Sequence, residues 1–240
     1  MLRRRVFCLL CTCLMLAPVA AQSGELRIVT LDLPPYWYHD ENKPAGICGE
    51  IGNAVAEECG LVARNIPMRL HRGLEEMRMG RADMIILLAS PEAESVGYNL
   101  GQLFHEESVV IGLVKSGIQS PGDLVGKRVA SIRGARYTAT VSAESGVILS
   151  PATSYLQSLN LLLEGRVDAV LGPRLGLEHT IKMHDLPRMA FSRPLLACLA
   201  PVTVYVSRHV SVALVERVRA AIQRLVDNGT VERIRNKYLL

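Results

Sequence analysis

Two short stretches of the chain read alike: "MGRADMII" at 79–86 and "EGRVDAVL" at 164–171. Each is Gly-Arg-x-Asp followed by apolar residues. The glycine can take the left-handed conformation that ends a helix, and the aspartate can bond amides of the turn before a strand. A helical pattern precedes each copy: residues 73–78 before the first, and "SYLQSLNLLL" (154–163) before the second. The apolar run after the first, 82–88, suits a strand buried on both faces of a parallel sheet. The copies lie 85 residues apart. A chain that builds one helix-to-strand junction twice is expected to form two α/β units of similar architecture.

The rest of the pattern agrees. "ELRIVTL" (25–31) and residues 128–132 read as strands. Residues 50–59 read as a helix that Gly60 stops. Near the end, Leu214, Val218, Ile222 and Leu225 mark one helical face. Asn228-Gly229-Thr230 breaks it, and Thr230 is the expected cap of a short last helix carrying Val231, Ile234 and Tyr238.

The first 21 residues read differently. Arg3, Arg4 and Arg5 precede an apolar run from Val6 to Leu16, and Val19-Ala20-Ala21 supplies small residues for cleavage. That is the pattern of a secretory signal, too short to span a membrane with these flanks. Its removal takes three of the 27 basic residues and none of the 23 acidic ones, leaving +1. No Lys/Arg run in the remainder resembles a polyanion stripe, so a nucleic-acid partner is not expected. About 219 residues remain, enough for two lobes with ordinary cores. Cys48, Cys59 and Cys198 also remain. Cys48 and Cys59 flank one expected helix, about 16 Å apart at 1.5 Å per residue, too far for a disulfide.

Six stretches together resemble one family. They are "LRIVTLDLPPYWY", "PAGICGEIGNAVAEECGL", "LEEMRMGRADMII", "DLVGKRVASIRGARY", "LEGRVDAVLG" and "DNGTVERIRNKYL". In this order they are similar to family 3 of the bacterial periplasmic solute-binding proteins. The resemblance implies the type II periplasmic-binding-protein fold: two α/β lobes joined by two crossovers at a hinge, with ligand held between them. On that pattern 24–105 and 202–240 form one lobe, 106–201 the other, and "FHEES" and "CLAP" are the crossings. It further implies a periplasmic monomer that passes a small-molecule ligand to a membrane permease of an ABC transporter, or docks on a receptor as a sensor. No cofactor or metal is implied.

The loop after the first strand holds three of the chain's eleven aromatic residues, Tyr36, Trp37 and Tyr38, behind Pro34 and Pro35. In open α/β folds such a loop lies at the carboxyl end of the sheet, where ligands bind. Adjacent side chains of an extended stretch point opposite ways, so one ring should plug its own lobe and another face the cleft. Tyr36 and Trp37 are the candidates for the ligand wall, ahead of Tyr38.

The amino-acid clamp of the family is altered. Ser90 fits its pattern, but Ala93 stands where an arginine would take a carboxylate, and Pro173 where an acid would hold an ammonium. An amino acid held in the family's usual way is therefore not expected. Other cations are available: Arg72 beside His71, and Arg133 and Arg136 flanking Gly134 after the strand at 128–132, with Tyr137 adding a ring. Arg174 sits beside the altered acid position. A helix N-terminus with a close backbone approach favours anions, so an anionic or carboxylate-bearing ligand is expected.

Hydrolase, metalloprotease and P-loop motifs are missing from the sequence. Gly46, Gly49 and Gly52 do not form a dinucleotide fingerprint, and His179 and His184 are wrongly spaced to share a helix face as metal ligands. A lyase or dehydratase on the same fold is the enzymatic alternative. A cleft acid such as Glu92 or Glu106, strongly raised in pKa beside a cation, would favour it.

Overall fold

A computed structural model describes residues 24–40, 43–135, 141 and 145–239. The expected signal segment lies outside them. Among the described residues, no helix is long and apolar enough to cross a membrane.

The strands are β1 (Glu25–Leu31), β2 (Tyr38–Asp40), β3 (Lys43–Ala45), β4 (Val62–Met68), β5 (Met84–Leu88), β6 (Gly97–Gly112), β7 (Arg128–Ile132), β8 (Ile148–Ala152), β9 (Ala169–Pro173) and β10 (Leu195–Ser207). The helices are α1 (Ile47–Glu58), α2 (Leu70–Arg78), α3 (Pro91–Val96), α4 (Tyr155–Leu163), α5 (Arg174–Met183), α6 (Val212–Asp227) and α7 (Thr230–Asn236). One sheet runs β4-β1-β5-β10-β6-β9-β7-β8. At one end β1 is parallel to β4 and β5; at the other β7 is parallel to β8 and β9. The two long strands β6 and β10 run antiparallel through the middle.

Each end has its own core on both faces, as an alternating strand requires. Ile28 faces Ile51 and Val55 of α1 and Val218 and Ile222 of α6. Its neighbour Val29 faces the other way, toward Leu74 and Met77 of α2. At the far end Val170 packs with α4 and α5, and Val129 with Leu124 and Ile118. Where the ends meet, "FHEES" lies against "CLAP": His105 pairs with Pro201, Glu106 with Ala200, Glu107 with Leu199 and Ser108 with Cys198.

The repeated junction has one construction in both copies. Gly80 and Gly165 leave their helices with φ of 65° and 69°, the left-handed exit. The aspartate, however, reaches across to the neighbouring strand rather than to its own turn. Asp83 Oδ2 accepts the Arg27 amide at 2.8 Å, and Asp168 Oδ2 accepts the Arg128 amide at 2.8 Å. Both arginine side chains return to the exit glycine: Arg27 donates to Gly80 O at 3.0 Å and Arg128 to Gly165 O at 3.3 Å. An arginine early in the first strand of each unit is therefore part of the junction.

Helix α1 starts three residues earlier than its sequence pattern indicates, and it has no side-chain cap. Its first amides are instead bound by the aromatic loop: Ile47 donates to Pro35 O at 3.0 Å and Cys48 to Tyr36 O at 2.8 Å. These contacts satisfy helix-start donors and pin the loop at the same time. Gly46 sits between them at φ 117°, where a Cβ would lie 2.6 Å from the Tyr36 carbonyl oxygen. Thr230 is the first residue of α7 rather than its cap; Gly229, left-handed at φ 72°, takes that place, and the Thr230 amide donates to Asn228 Oδ1.

α7 also holds the start of α1. Tyr238 Oη accepts the Gly46 amide at 2.9 Å and donates to Glu50. Burial, then the bond to Glu50, pushes the Tyr238 phenol from 10.0 up to about 12. A phenol raised on folding stabilises the fold fully below its unfolded value and loses that contribution as pH rises through the folded one. Tyr36 and Tyr205 are raised as well, chiefly by burial. The urea midpoint should therefore fall steeply from pH 10 toward pH 12. Tyr238→Phe should flatten part of that fall, and an equally steep curve in the variant would remove Tyr238 as a contributor.

Candidate functional site: a cleft between the two halves

The three aromatic residues go to three places. Trp37 is buried, 3 % exposed, and packs on its own half. A Cβ on Gly49 of α1 would lie 2.8 Å from the Trp37 ring. Tyr38 reaches the other half, its ring 5.8 Å from that of His179 on α5. Tyr36 stays between, packed against the core residues of both halves.

Tyr36 lines an apolar cavity of about 80 Å³ between the halves. The first half contributes Leu31, Leu33, Leu88 and Ser90; the second contributes Ile132, Gly134, Tyr155 and Pro173. Tyr155, at the start of α4, fits because Gly176 is small: a Cβ there would meet the ring at 2.5 Å. The floor comes from the crossing strand, as Glu106. A second cavity of about 230 Å³ shares the walls Leu31, Leu33, Leu70 and Ile132 and adds the polar side chains of Asp32, Arg69, His71, Arg133 and Thr153.

Ser90, Gly134 and Tyr36 thus line the inner cavity and Arg133 the outer one. Arg136 and Tyr137 lie outside the described residues. Two further candidates lie away from these cavities. Trp37 does not line either cavity, because Gly49 opens a slot for its ring on α1 and Gly46 lets the Trp37 backbone lie close. Arg72 does not line them either; it points to solvent and pairs with Glu76 one turn on, 2.6 Å away, while Arg69 and His71 face the outer cavity. Arg174 pairs with Glu107 at 2.5 Å.

Glu106, Tyr155 and Cys48 carry more of the inner cavity than the sequence reading gave them. The signal for Glu106 is the pair Glu106-Glu107 in a crossing strand. Alternation must turn one of them inward, and Glu107 takes the outward place with Arg174. Glu106 is 4 % exposed. Burial pushes its pKa up, opposed by the Leu175 amide and the Tyr36 hydroxyl. The Cys48 thiol is pushed up to about 12, mainly by burial and then by the Glu106 charge, so it stays protonated. No ion pair to Glu106 and no cluster of three or more metal-ligating side chains occurs among the described residues.

Neither position expected to hold a clamp residue carries a polar side chain. Ala93 is fully buried among Val29, Leu74 and Tyr205, and its amide donates to Ser90 Oγ at 3.2 Å. The helix α3 that carries it holds no cation. Pro173 closes β9 at the cavity wall.

The fold has close counterparts among solved structures. An ancestral arginine-binding protein bound to arginine superposes with a TM-score of 0.78 at 22% identity, over 90% of this chain and 99% of that one. A substrate-binding protein of a Streptococcus pneumoniae ABC uptake transporter, solved with histidine, gives 0.77 at 18%, over 89% and 92%. These likenesses establish the two-lobed type II fold. Two curated relatives are named membrane-bound lytic murein transglycosylase F. The one from Sodalis glossinidius is 26% identical over 93% of this chain and 49% of its own length. The one from Pseudomonas syringae pv. tomato is 23% identical over 90% and 45%. The chain spans about half the length of these relatives. The match at residues 26–240 decides the family: the chain belongs to the bacterial extracellular solute-binding proteins, family 3.

Proposed function

We propose that this chain is a periplasmic solute-binding protein that captures a small organic molecule between its two lobes and delivers it to a membrane partner. The cavity supports this most directly, because its walls come from both lobes and its floor from the strand that joins them. A ligand there touches both lobes at once and favours the state in which they are close. An ABC permease is the partner the solved relatives suggest, since one of them serves an ABC uptake transporter. Binding needs no cofactor in this reading, and the protein acts as a monomer.

The anionic ligand expected from the arginines gains support only from the outer cavity, where Arg69, His71 and Arg133 stand opposite Asp32. The altered clamp speaks against an amino acid held through its carboxylate. The test is mass spectrometry of the protein as purified, to identify what it carries, then small-angle scattering with and without that ligand. Compaction on binding is expected. Unchanged dimensions at saturation would refute closure. A thermal-shift screen of the common amino acids completes the test. A ligand at about 1,000 times its Kd adds about 4 kcal/mol, so large shifts with several of them would mean the clamp has been rebuilt from other residues.

A second reading follows from the transglycosylase names. The aligned half of those relatives is the part similar to this solute-binding chain, so we read it as a ligand-sensing module and do not carry their named activity to it. Glu106 is a buried cleft acid, but it forms no ion pair among the described residues, and acid–base chemistry on a small carboxylate would use a cation in contact with it. Turnover of the carried molecule, followed by mass spectrometry, would overturn the non-enzymatic reading.

A further inference from the structure

The inner cavity has apolar walls and a floor that calls for a partner. Glu106 is buried at the bottom. Its Oε1 receives only a long bond, 3.5 Å, from the Leu175 amide at the start of α5. Its Oε2 makes no hydrogen bond of normal geometry among the described residues, and neither does the buried Tyr36 hydroxyl, although Tyr36 lies close enough to hold the Glu106 pKa down. Leu31, Leu33, Leu70, Leu88 and Ile132 surround them. A buried carboxyl with a free oxygen is costly to keep unless something donates to it. The groups acting on it are few: Tyr36 from the loop, Cys48 from α1, Glu107 on its own strand and Arg235 from α7. Arg235 lies over the Phe104 ring, 5.2 Å from its centre, and Glu107 is engaged by Arg174. The chain therefore supplies an acceptor and an apolar wall, and leaves the donor to whatever enters.

We propose that the inner cavity selects an organic cation: a protonated amine on an apolar body, its N–H groups bonded to Glu106 and Tyr36. The inference rests on the ligand-capture reading and names the ligand class for that same cavity. It inverts the charge that the arginines of the sequence point to, because Arg133 stands at the outer cavity, Arg72 points to solvent and Arg174 pairs with Glu107. The ammonium supplies the charge and donors that Glu106 lacks, while the leucine walls take the hydrocarbon. A carboxylate in the same place would lie against the Glu106 charge.

Occupancy also couples to pH. Burial raises the Glu106 pKa, so the empty protein holds the Glu106 proton to a higher pH than a free carboxyl would, and a bound cation favours the charged form. Amine affinity should rise as pH increases through the Glu106 range, with a proton released on binding. With Glu106 raised on folding, the ionised form weighs against the empty fold above that range. Glu106→Gln should therefore raise the unfolding midpoint at pH 8 while weakening amine binding.

The test uses three matched sets of probes: 3-methylbutylamine and 2-phenylethylamine, the corresponding alcohols, and 4-methylpentanoate with 3-phenylpropanoate. Calorimetric titration in two buffers of different ionisation enthalpy reads affinity and proton release together. The amines should bind wild type, and the carboxylates should not. Glu106→Gln should weaken amine binding about thirtyfold or more, the usual consequence of removing one member of a buried charge pair. Tyr36→Phe, which keeps the ring, should weaken it about fivefold. Amine affinity unchanged in Glu106→Gln, or carboxylates binding in preference to amines, would overturn the proposal while leaving ligand capture intact. If no probe binds and the purified protein carries no small molecule, both readings fall.

Discussion

Trp37→Ala is expected to lower the unfolding free energy by about 4 kcal/mol, the usual loss when a fully buried tryptophan is truncated. The ring is 3 % exposed and fills the slot over Gly49. Its neighbourhood cannot easily collapse, because the loop backbone on one side is tied to α1 through Pro35 O and Tyr36 O. Ligand affinity should fall less, and only because Tyr36 shifts with its neighbour. Urea unfolding followed by far-ultraviolet circular dichroism gives the stability, since the variant has lost the chain's one tryptophan. A loss below about 1 kcal/mol would mean that the site repacks and that Trp37 is not the plug.

The second large effect is unequal between the two halves. Asp83→Ala should cost about 3 kcal/mol and Asp168→Ala about 1 kcal/mol or less, although the two aspartates occupy equivalent places. Asp83 is the more buried, with side-chain exposure of 8% against 35% for Asp168. Its bonds to Arg27 are also better formed, at 2.5 and 3.0 Å, where the Arg128–Asp168 ion pair spans 3.7 Å. Removing Asp83 leaves the Arg27 amide without its bond in a closed site, whereas water can reach the Arg128 amide. The double variant should lose the sum, since the sites share no partners. Equal losses at both positions would show that burial is not what separates them.

Both variants probe the feature most legible in the sequence. The Gly-Arg-x-Asp junctions announced two similar units, and β1 and β7 span the residues read as strands, 25–31 and 128–132. What could not be read was who answers the aspartate. Arg27 and Arg128 sit 56 and 40 residues away, and such pairs follow from tertiary pairing rather than local propensity. The start of α1 was missed for a related reason: its cap is a pair of loop carbonyls, which any residue carries. In the cleft, the aromatic run gave the position of the wall but not the division of labour within it. That division depends on Gly46 and Gly49, eleven and fourteen residues after Pro35. The arginines drew attention because charge is conspicuous in a sequence. Glu106 was named in the sequence only as one of two possible cleft acids, with Glu92, and it is the strand that turns it inward.

The pairing of β6 with β10 has a mechanical consequence. From Cys198 to Val202 the two strands pair residue for residue, opposite Ser108 to Phe104. The register slips on either side, between Leu196 and Cys198 and again between Val202 and Thr203. Irregularities of this kind bend more readily than an unbroken ladder. Flexure concentrated at them leaves the five-residue stretch between as a stiff plank, and Glu106 is bolted to it. On the capture reading proposed above, the recognition point then stays fixed in shape while the flanking walls swing, so that encounter with that point would set how fast a guest arrives and the swing of the walls how long it stays.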